Sequence, residues 1–292
     1  MNNLLIGSLM CGASCFGWMG LFYFSNHLLT CYFRAKKWNI SMHHTMNMSE
    51  AIVSSIQAFV STVCGFVVVV ACRHDVMRAA HSLASGYAWI GGSYFIYDTI
   101  AMYKVHLASL AEAPKCLAGR VNSYLRRRTL LVLHHVVVVT VLVPVLIYRN
   151  GIGDFFVGCF YCVELSGPFT NMRVVLSRLG LKASRWYTVN GILMIITFAL
   201  CRVAIFPYMY FAYGAQYGLD IFQVMKKIPL HCNLGSLLVL LPQIHWLRLM
   251  VLGAFKISRG ATLTEACARP HQHTPVMNRI FASASASSDP PQ

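Results

Sequence analysis

The chain has 292 residues, of which 57% are hydrophobic and 11% are charged, and its formal net charge is +15. A soluble globular domain carries about 25% charged residues, so the composition excludes an ordinary soluble domain and indicates a membrane protein. Nucleic-acid binding is disfavoured despite the positive charge, because no pattern that combines aromatic and basic residues interrupts the apolar runs.

Apolar stretches long enough to cross a bilayer, about 20 residues each, recur along the whole chain. They predict an all-α, polytopic membrane protein with seven transmembrane helices. The predicted spans are 4–25, 49–71, 82–103, 128–148, 153–175, 187–213 and 229–252. The first span does not resemble a signal peptide, because the residues before it lack positive charge.

The positive charges indicate how the chain is oriented in the membrane. Of the 24 Lys and Arg residues, five lie on the face that carries the N-terminus, eighteen lie on the other, and Arg202 lies within the sixth span. The positive-inside rule therefore predicts a lumenal or external N-terminus and a cytosolic C-terminus. Residues 1–48 would form one transmembrane helix and a cytosolic loop, and 256–292 a disordered cytosolic tail that has little to bury.

The third predicted span carries a polar stripe. Tyr87, Gly91, Tyr94 and Asp98 are spaced 4, 3 and 4 residues apart, so they lie on one helix face. A charged side chain within the bilayer usually faces a protein interior or a cavity. We therefore expect Tyr94 and Asp98 to line the interior of the bundle.

The fourth predicted span places two adjacent histidines, His134 and His135, inside an apolar run that follows three arginines. Ionisable residues within a membrane segment point to a functional site, although paired histidines also form hydrogen bonds between helices. The arginines, Arg126, Arg127 and Arg128, are interpreted either as a topology signal or as ligands of phosphate groups.

The last three spans add further polar residues. Glu164, Pro168 and Asn171 share one face of the fifth span, where Pro168 should kink the helix. Arg202 either pairs with Glu164 structurally or contributes to a site. Asn190 and Asn233 complete the polar set, which predicts a chamber open to the cytosol. Cys159 and Cys162 form a C-x-x-C without a second pair, so we expect no metal site.

Several ordered sequence blocks resemble the TLC domain, in particular the TLC-domain-containing protein 3 group. The blocks are "YFIYDTIAMY" at 94–103, "LHH" at 133–135, "GDFFVGCFYCVELSGPFTNMR" at 153–173, "VNGILMIITFALCRVAIFPYMYFAYG" at 189–214 and "HCNLGSLLVLLPQIHW" at 231–246. The resemblance covers 49–255. It implies a TLC-type bundle of six helices around a cavity, preceded here by one N-terminal helix.

The resemblance also implies chemistry. Ceramide synthases, which carry this domain, transfer a fatty acyl group from acyl-CoA to the amine of a sphingoid base, and their motif centres on a paired histidine. On this basis His134, His135, Asp98 and Glu164 are the catalytic candidates. Substrate-binding candidates are Tyr94, Asn171, Arg202, Asn190 and Asn233, and Arg126, Arg127 and Arg128 are the candidate ligands of the CoA phosphates.

Ceramide synthases carry His-Asp and a further Asp in the helix after the paired histidines. This chain has Val163, Glu164, Leu165 and Ser166 there, so one carboxylate remains. Two functions therefore stay open: an acyl-CoA-dependent N-acyltransferase that makes ceramide, and a non-catalytic lipid-binding protein that modulates membrane sphingolipid or phospholipid composition. A transporter is disfavoured because the two halves show no repeat.

The expected partners are membrane lipids, long-chain acyl-CoA and a sphingoid base, with a homodimer left open. No cofactor is expected besides acyl-CoA as co-substrate. The ceramide analogy favours the endoplasmic reticulum membrane, with the Golgi and the plasma membrane as alternatives.

Overall fold

The computed structural model describes residues 2–110, 114–149 and 151–258, and within these ranges every regular element is helical. The predicted tail at 256–292 therefore lies almost entirely outside the described residues. The α-helices are α1 (Asn2–Ala35), α2 (Met42–Cys72), α3 (Ser82–Ala108), α4 (Leu117–Tyr148), α5 (Asp154–Cys162), α6 (Gly167–Arg178), α7 (Arg185–Phe198), α8 (Ile205–Tyr217), α9 (Ile221–Lys227) and α10 (Leu230–Ser258).

The prediction of an all-α, polytopic membrane protein is confirmed. Each of the seven predicted spans coincides with a helical segment, although α1 continues about ten residues beyond the predicted end, to Ala35. By length and apolar composition, four described helical stretches can cross a membrane: Leu5–Ala35, Met42–Cys72, Arg185–Tyr217 and Leu230–Phe255. Seven crossings remain a prediction.

Helix α2 lies at the centre of the fold and packs against α1, α3, α5 and α6. At one end of α2, Val68 and Cys72 belong to a core cluster with residues of α3, α5 and α8. At the other end, Met46 and Val53 pack with Phe22 of α1 and with Tyr97 of α3. The N-terminal helix is therefore packed onto the rest of the protein and is not a separate anchor.

Two glycines allow α2 and α5 to approach closely. A Cβ atom on Gly65 would lie 2.6 Å from the Gly158 carbonyl oxygen and 2.8 Å from the Cys162 nitrogen. A Cβ atom on Gly158 would in turn lie 3.0 Å from the Gly65 carbonyl oxygen. Small residues at such crossings let helix backbones pack together in membranes, where no hydrophobic effect drives helices together.

We expect Gly65→Ala to lower the free energy of unfolding by about 2 kcal/mol, because the added methyl group meets backbone atoms that cannot rotate away. Thermal unfolding of the purified protein in detergent, followed by circular dichroism, measures the change. Gly92→Ala is the matched control, since Gly92 is also a buried helical glycine but has nothing within 4 Å of an added Cβ atom. Equal melting temperatures for the two variants would contradict the close packing.

Two helical segments lose regular α-helical geometry at facing positions. Between α5 and α6 the chain forms a 3₁₀-helix, Val163–Ser166, directly before Pro168. Between α7 and α8 it forms a π-helix, Ala199–Ala204, shortly before Pro207. Proline lacks an N–H group and clashes with the preceding turn, so the first irregularity agrees with the kink predicted from Pro168, and Pro207 accounts in the same way for the second.

Two cavities are defined within the described ranges. One, of about 280 Å³, lies between α6 and α7 and is lined by apolar side chains and Asn190. The other, of about 330 Å³, lies beside Arg73, Phe155 and Gln216. Neither is lined by His134 or His135, so a cavity beside the paired histidines remains a prediction.

Candidate functional site

His135 is buried between α4 and α3. Its Nε2 lies 3.6 Å from Oδ2 of Asp98, and its ring packs edge-on against Phe95 with 5.3 Å between ring centroids. Asp98 is also buried, with 7% of its surface exposed. The structure thus brings together two of the four catalytic candidates.

Thr99 lies beside the other ring nitrogen of His135. Its Oγ1 donates to the Phe95 carbonyl at 2.8 Å and lies 3.4 Å from His135 Nδ1. The two ring nitrogens of His135 therefore face two residues of α3, Thr99 and Asp98.

His134 has different surroundings from its neighbour. It is half-buried, and its ring lies edge-on to Trp246 of α10, with 6.5 Å between ring centroids. The charges of Glu164 and Arg202 act on it. Adjacent helix positions diverge by about 100°, which explains why the two rings face different helices. Within the described part of the chain, no hydrogen bond occupies the ring nitrogens of His134.

Glu164 and Arg202 form an ion pair where the two helices are irregular. Arg202 Nη2 lies 3.4 Å from Glu164 Oε2, and Arg202 Nε donates to Ser166 Oγ at 2.7 Å. Glu164 and Ser166 lie on the 3₁₀-helix, and Arg202 lies on the π-helix. The structural pairing considered from the sequence is therefore present, and this pair lies on the His134 side of the site.

The remaining substrate-binding candidates fall into three groups. Tyr94 is buried, and its hydroxyl interacts with the Asp98 carboxylate as a hydrogen-bond donor. Asn190 donates to the Phe169 carbonyl at 2.8 Å, whereas Nδ2 of Asn171 is buried without a hydrogen-bond partner among the described residues. Asn233, near the start of α10, accepts from the Tyr210 hydroxyl at 2.8 Å.

The position of Asn233 separates it from the paired histidines. It precedes Trp246 by thirteen residues on α10, a distance of about 20 Å along the helix. Its amide also donates to the Met225 carbonyl at 2.7 Å, which fastens α10 to α9. The structure therefore places Asn233 among residues that connect helices, away from His134.

The three arginines of α4 do not share one environment. Arg126 and Arg127 are exposed, whereas Arg128 is 6% exposed. The backbone of Arg128 departs from helical geometry, with φ −121° and ψ 18°, and this kink accompanies the inward position of its side chain. A phosphate at the membrane surface would therefore meet two of these guanidinium groups.

The sequence analysis missed a carboxylate, Glu50 of α2. The charges of Asp98, Arg128 and Arg178 act on it, and its Oε2 is buried without a hydrogen-bond partner in the described part of the chain. The signal was present in the sequence, because Met46, Glu50 and Val53 are spaced like one helix face. Glu50 closely follows residues 26–48, which lie between the first two predicted spans, so its local sequence is typical of a loop.

Comparison with known proteins supplies the family. The sequence model of the TLC domain matches residues 47–252, which is more than half of the chain. No solved structure matches the chain. The chain therefore belongs to the TLC-domain family, and its function is related to membrane lipids.

Proposed function

We propose that the chain is a membrane-embedded, acyl-CoA-dependent N-acyltransferase that makes ceramide from a sphingoid base. The observation that carries this proposal is the buried pair of His135 and Asp98, placed directly beside a half-buried His134 whose ring nitrogens have no hydrogen-bond partner among the described residues. An imidazole near neutral pH can take a proton from an amine or carry an acyl group.

The contacts favour different roles for the two histidines. His134 is the ring proposed to meet substrate, because the ring nitrogens of His135 face Thr99 and Asp98 of α3. His135 and Asp98 act as a positioning pair that fixes the α4 backbone beside α3, next to the reacting ring. The carboxylate whose charge acts on His134 is Glu164, and a carboxylate stabilises an imidazolium that forms during the reaction.

The proposed step conserves atoms and charge. The neutral amine attacks the thioester carbonyl, a C–N bond forms, and His134 accepts the proton that the nitrogen loses. The C–S bond then breaks, and the departing CoA thiolate takes that proton from the His134 imidazolium. The products are an N-acyl sphingoid base and free CoA, so the reaction requires no cofactor besides the acyl-CoA co-substrate.

Binding of CoA is proposed at the membrane surface. Arg126 and Arg127 are exposed about two turns before His134, and guanidinium groups bind phosphate oxygens through paired hydrogen bonds. The proposed orientation places these residues in the cytosol, where acyl-CoA is available, and the proposed location is the endoplasmic reticulum membrane. The assignment to the type 3 group of TLC-domain proteins belongs to the same proposal.

An assay with the purified full-length chain tests the function. Nanodiscs that contain the protein are incubated with a long-chain acyl-CoA and sphinganine, and the N-acyl product is followed by mass spectrometry. We expect product in proportion to protein and time, above nanodiscs without protein. Absence of product at all acyl-chain lengths tested would overturn the acyltransferase.

A non-catalytic lipid-binding protein is the second candidate. One observation supports it: the carboxylate of Glu164, a catalytic candidate, is engaged with Arg202. Under this alternative, the protein co-purifies with a defined set of sphingolipids or phospholipids and never turns over acyl-CoA.

A further inference from the structure

Glu50 faces the interior at the contact between α2 and α3. It is flanked on its helix face by Met46 and Val53, which pack in one core cluster with Tyr97 and Ala101 of α3. A carboxylate between two core positions is costly in a membrane protein, so it usually has a partner. Glu50 is nonetheless in none of the ion pairs that the described residues form within 4 Å.

Arg128 lies close to the same place without contacting Glu50. The charges of Glu50 and Asp98 both act on Arg128, whose Nη1 is buried and has no hydrogen-bond partner in the described part of the chain. Arg128 precedes His135 by seven residues on α4, about 10 Å along the helix. Glu50 and Arg128 therefore interact electrostatically without an ion pair within 4 Å among the described residues.

Tyr97 adds a third unpaired group. Its side chain is completely buried, its hydroxyl has no hydrogen-bond partner among the described residues, and Asp98 and Glu50 both act on it electrostatically. Arg178 is the other cation near Glu50, and its guanidinium contacts Asn47 and His44. Arg128 and Tyr97 thus both lie within electrostatic range of Glu50, and each of the three side chains has a buried polar atom without a hydrogen-bond partner among the described residues.

Buried polar atoms in native proteins are nearly always hydrogen-bonded to protein, ligand or water, so these unpaired atoms offer a place where a polar group from outside the chain can bind. A phosphate suits Arg128 but is repelled by the two carboxylates. A primary ammonium group suits the carboxylates, because it brings positive charge and three donors. A neighbouring hydroxyl can accept from Arg128 and bond to Tyr97. Both groups occur together in an amino alcohol.

We propose that Glu50, Asp98, Arg128 and Tyr97 form the binding site for the head group of a long-chain amino alcohol. Glu50 and Asp98 accept hydrogen bonds from its ammonium group, and Arg128 donates to its hydroxyl. Before acyl transfer, one of the two carboxylates takes a proton from the ammonium group, which leaves the neutral amine that attacks the thioester. This inference rests on the proposed function, for which it specifies how the amine acceptor is held. It also assigns Arg128 to the amine acceptor and leaves the CoA phosphates to Arg126 and Arg127.

Equilibrium binding of two radiolabelled probes tests the site with the full-length chain in nanodiscs, without acyl-CoA. Sphinganine carries the ammonium group, and N-acetylsphinganine lacks that charge. We expect the unchanged protein to prefer sphinganine, and Glu50→Gln to bind it about tenfold more weakly and to lose the preference. Asp220→Asn, which makes the same change at an exposed helix cap, should bind like the unchanged protein.

Equal binding of the two probes by the unchanged protein, or an intact preference in Glu50→Gln, would overturn the site. If Glu50→Gln does not fold, the binding site is tested with Tyr97→Phe, because this variant keeps the aromatic ring and removes only the unpaired hydroxyl. We expect that variant to bind sphinganine at least threefold more weakly, and unchanged affinity would overturn the site.

Acyl transfer is measured separately, so the two proposals fail in different ways. If the protein prefers sphinganine but shows no acyl transfer, the proposed acyltransferase activity is rejected and the proposed binding site is kept. If Glu50→Gln catalyses acyl transfer with the same KM for sphinganine as the unchanged protein, the proposed binding site is rejected and the acyltransferase activity is kept.

Discussion

His134→Ala is expected to reduce the rate of acyl transfer by about 10²- to 10⁴-fold, the range that general acid–base catalysis contributes. The reason is that His134 has ring nitrogens without hydrogen-bond partners in the described part of the chain, whereas those of His135 face Thr99 and Asp98. Initial rates with saturating acyl-CoA and sphinganine, in nanodiscs with equal amounts of folded protein, measure the effect.

His245→Ala is the matched control for this prediction. His245 is exposed on α10, one residue from Trp246. The variant therefore removes an imidazole group but leaves His134 and His135 unchanged. We expect its rate to equal that of the unchanged protein. If His134→Ala retained full activity while His135→Ala lost it, the reacting ring would be His135, and the division of roles inferred from the contacts would be wrong.

Arg202→Met is expected to lower the free energy of unfolding by about 3 kcal/mol, because it leaves the Glu164 carboxylate without its cation. The side chains of Arg202 and Glu164 are 15% and 24% exposed, so water compensates only a small part of the loss. The variant also removes the hydrogen bond that Arg202 donates to Ser166. Denaturant-dependent loss of helicity in mixed micelles measures the change.

The double variant Arg202→Met with Glu164→Leu distinguishes two causes of instability: the unpaired charge left on Glu164, and the lost packing of the Arg202 side chain. Replacing both members of a buried pair by apolar residues is often neutral, so the double variant should regain most of the stability. A double variant that is as unstable as Arg202→Met would show that Arg202 contributes through packing against Phe198, over whose ring it lies, and not through its charge.

The sequence predicted the helices well because apolar length and period follow directly from the lipid environment. The stripe of Tyr94 and Asp98 was correctly assigned to the interior, since spacing along a helix determines which side chains share a face. The kink near Pro168 was also predicted, because the missing N–H group acts locally. These features depend on one helix at a time.

Features that depend on two helices were harder to predict. The contact of His135 with Asp98 requires the register of α4 against α3, and hydropathy does not report that register. Asn233 was grouped with the site on polarity alone, although its position along α10 separates it from Trp246. Arg128 was grouped with its neighbours because nothing in the local sequence indicates that the backbone kinks there.

The inward position of Arg128 changes how α4 meets the lipid surface. A row of three arginines suggests three charges at the boundary between head groups and water, but only Arg126 and Arg127 are exposed there. Each basic side chain near an anionic leaflet contributes about 1 kcal/mol of attraction. Under the proposed orientation, Arg126 and Arg127 would attract α4 to an anionic cytosolic leaflet, whereas the buried Arg128 would not add to that attraction.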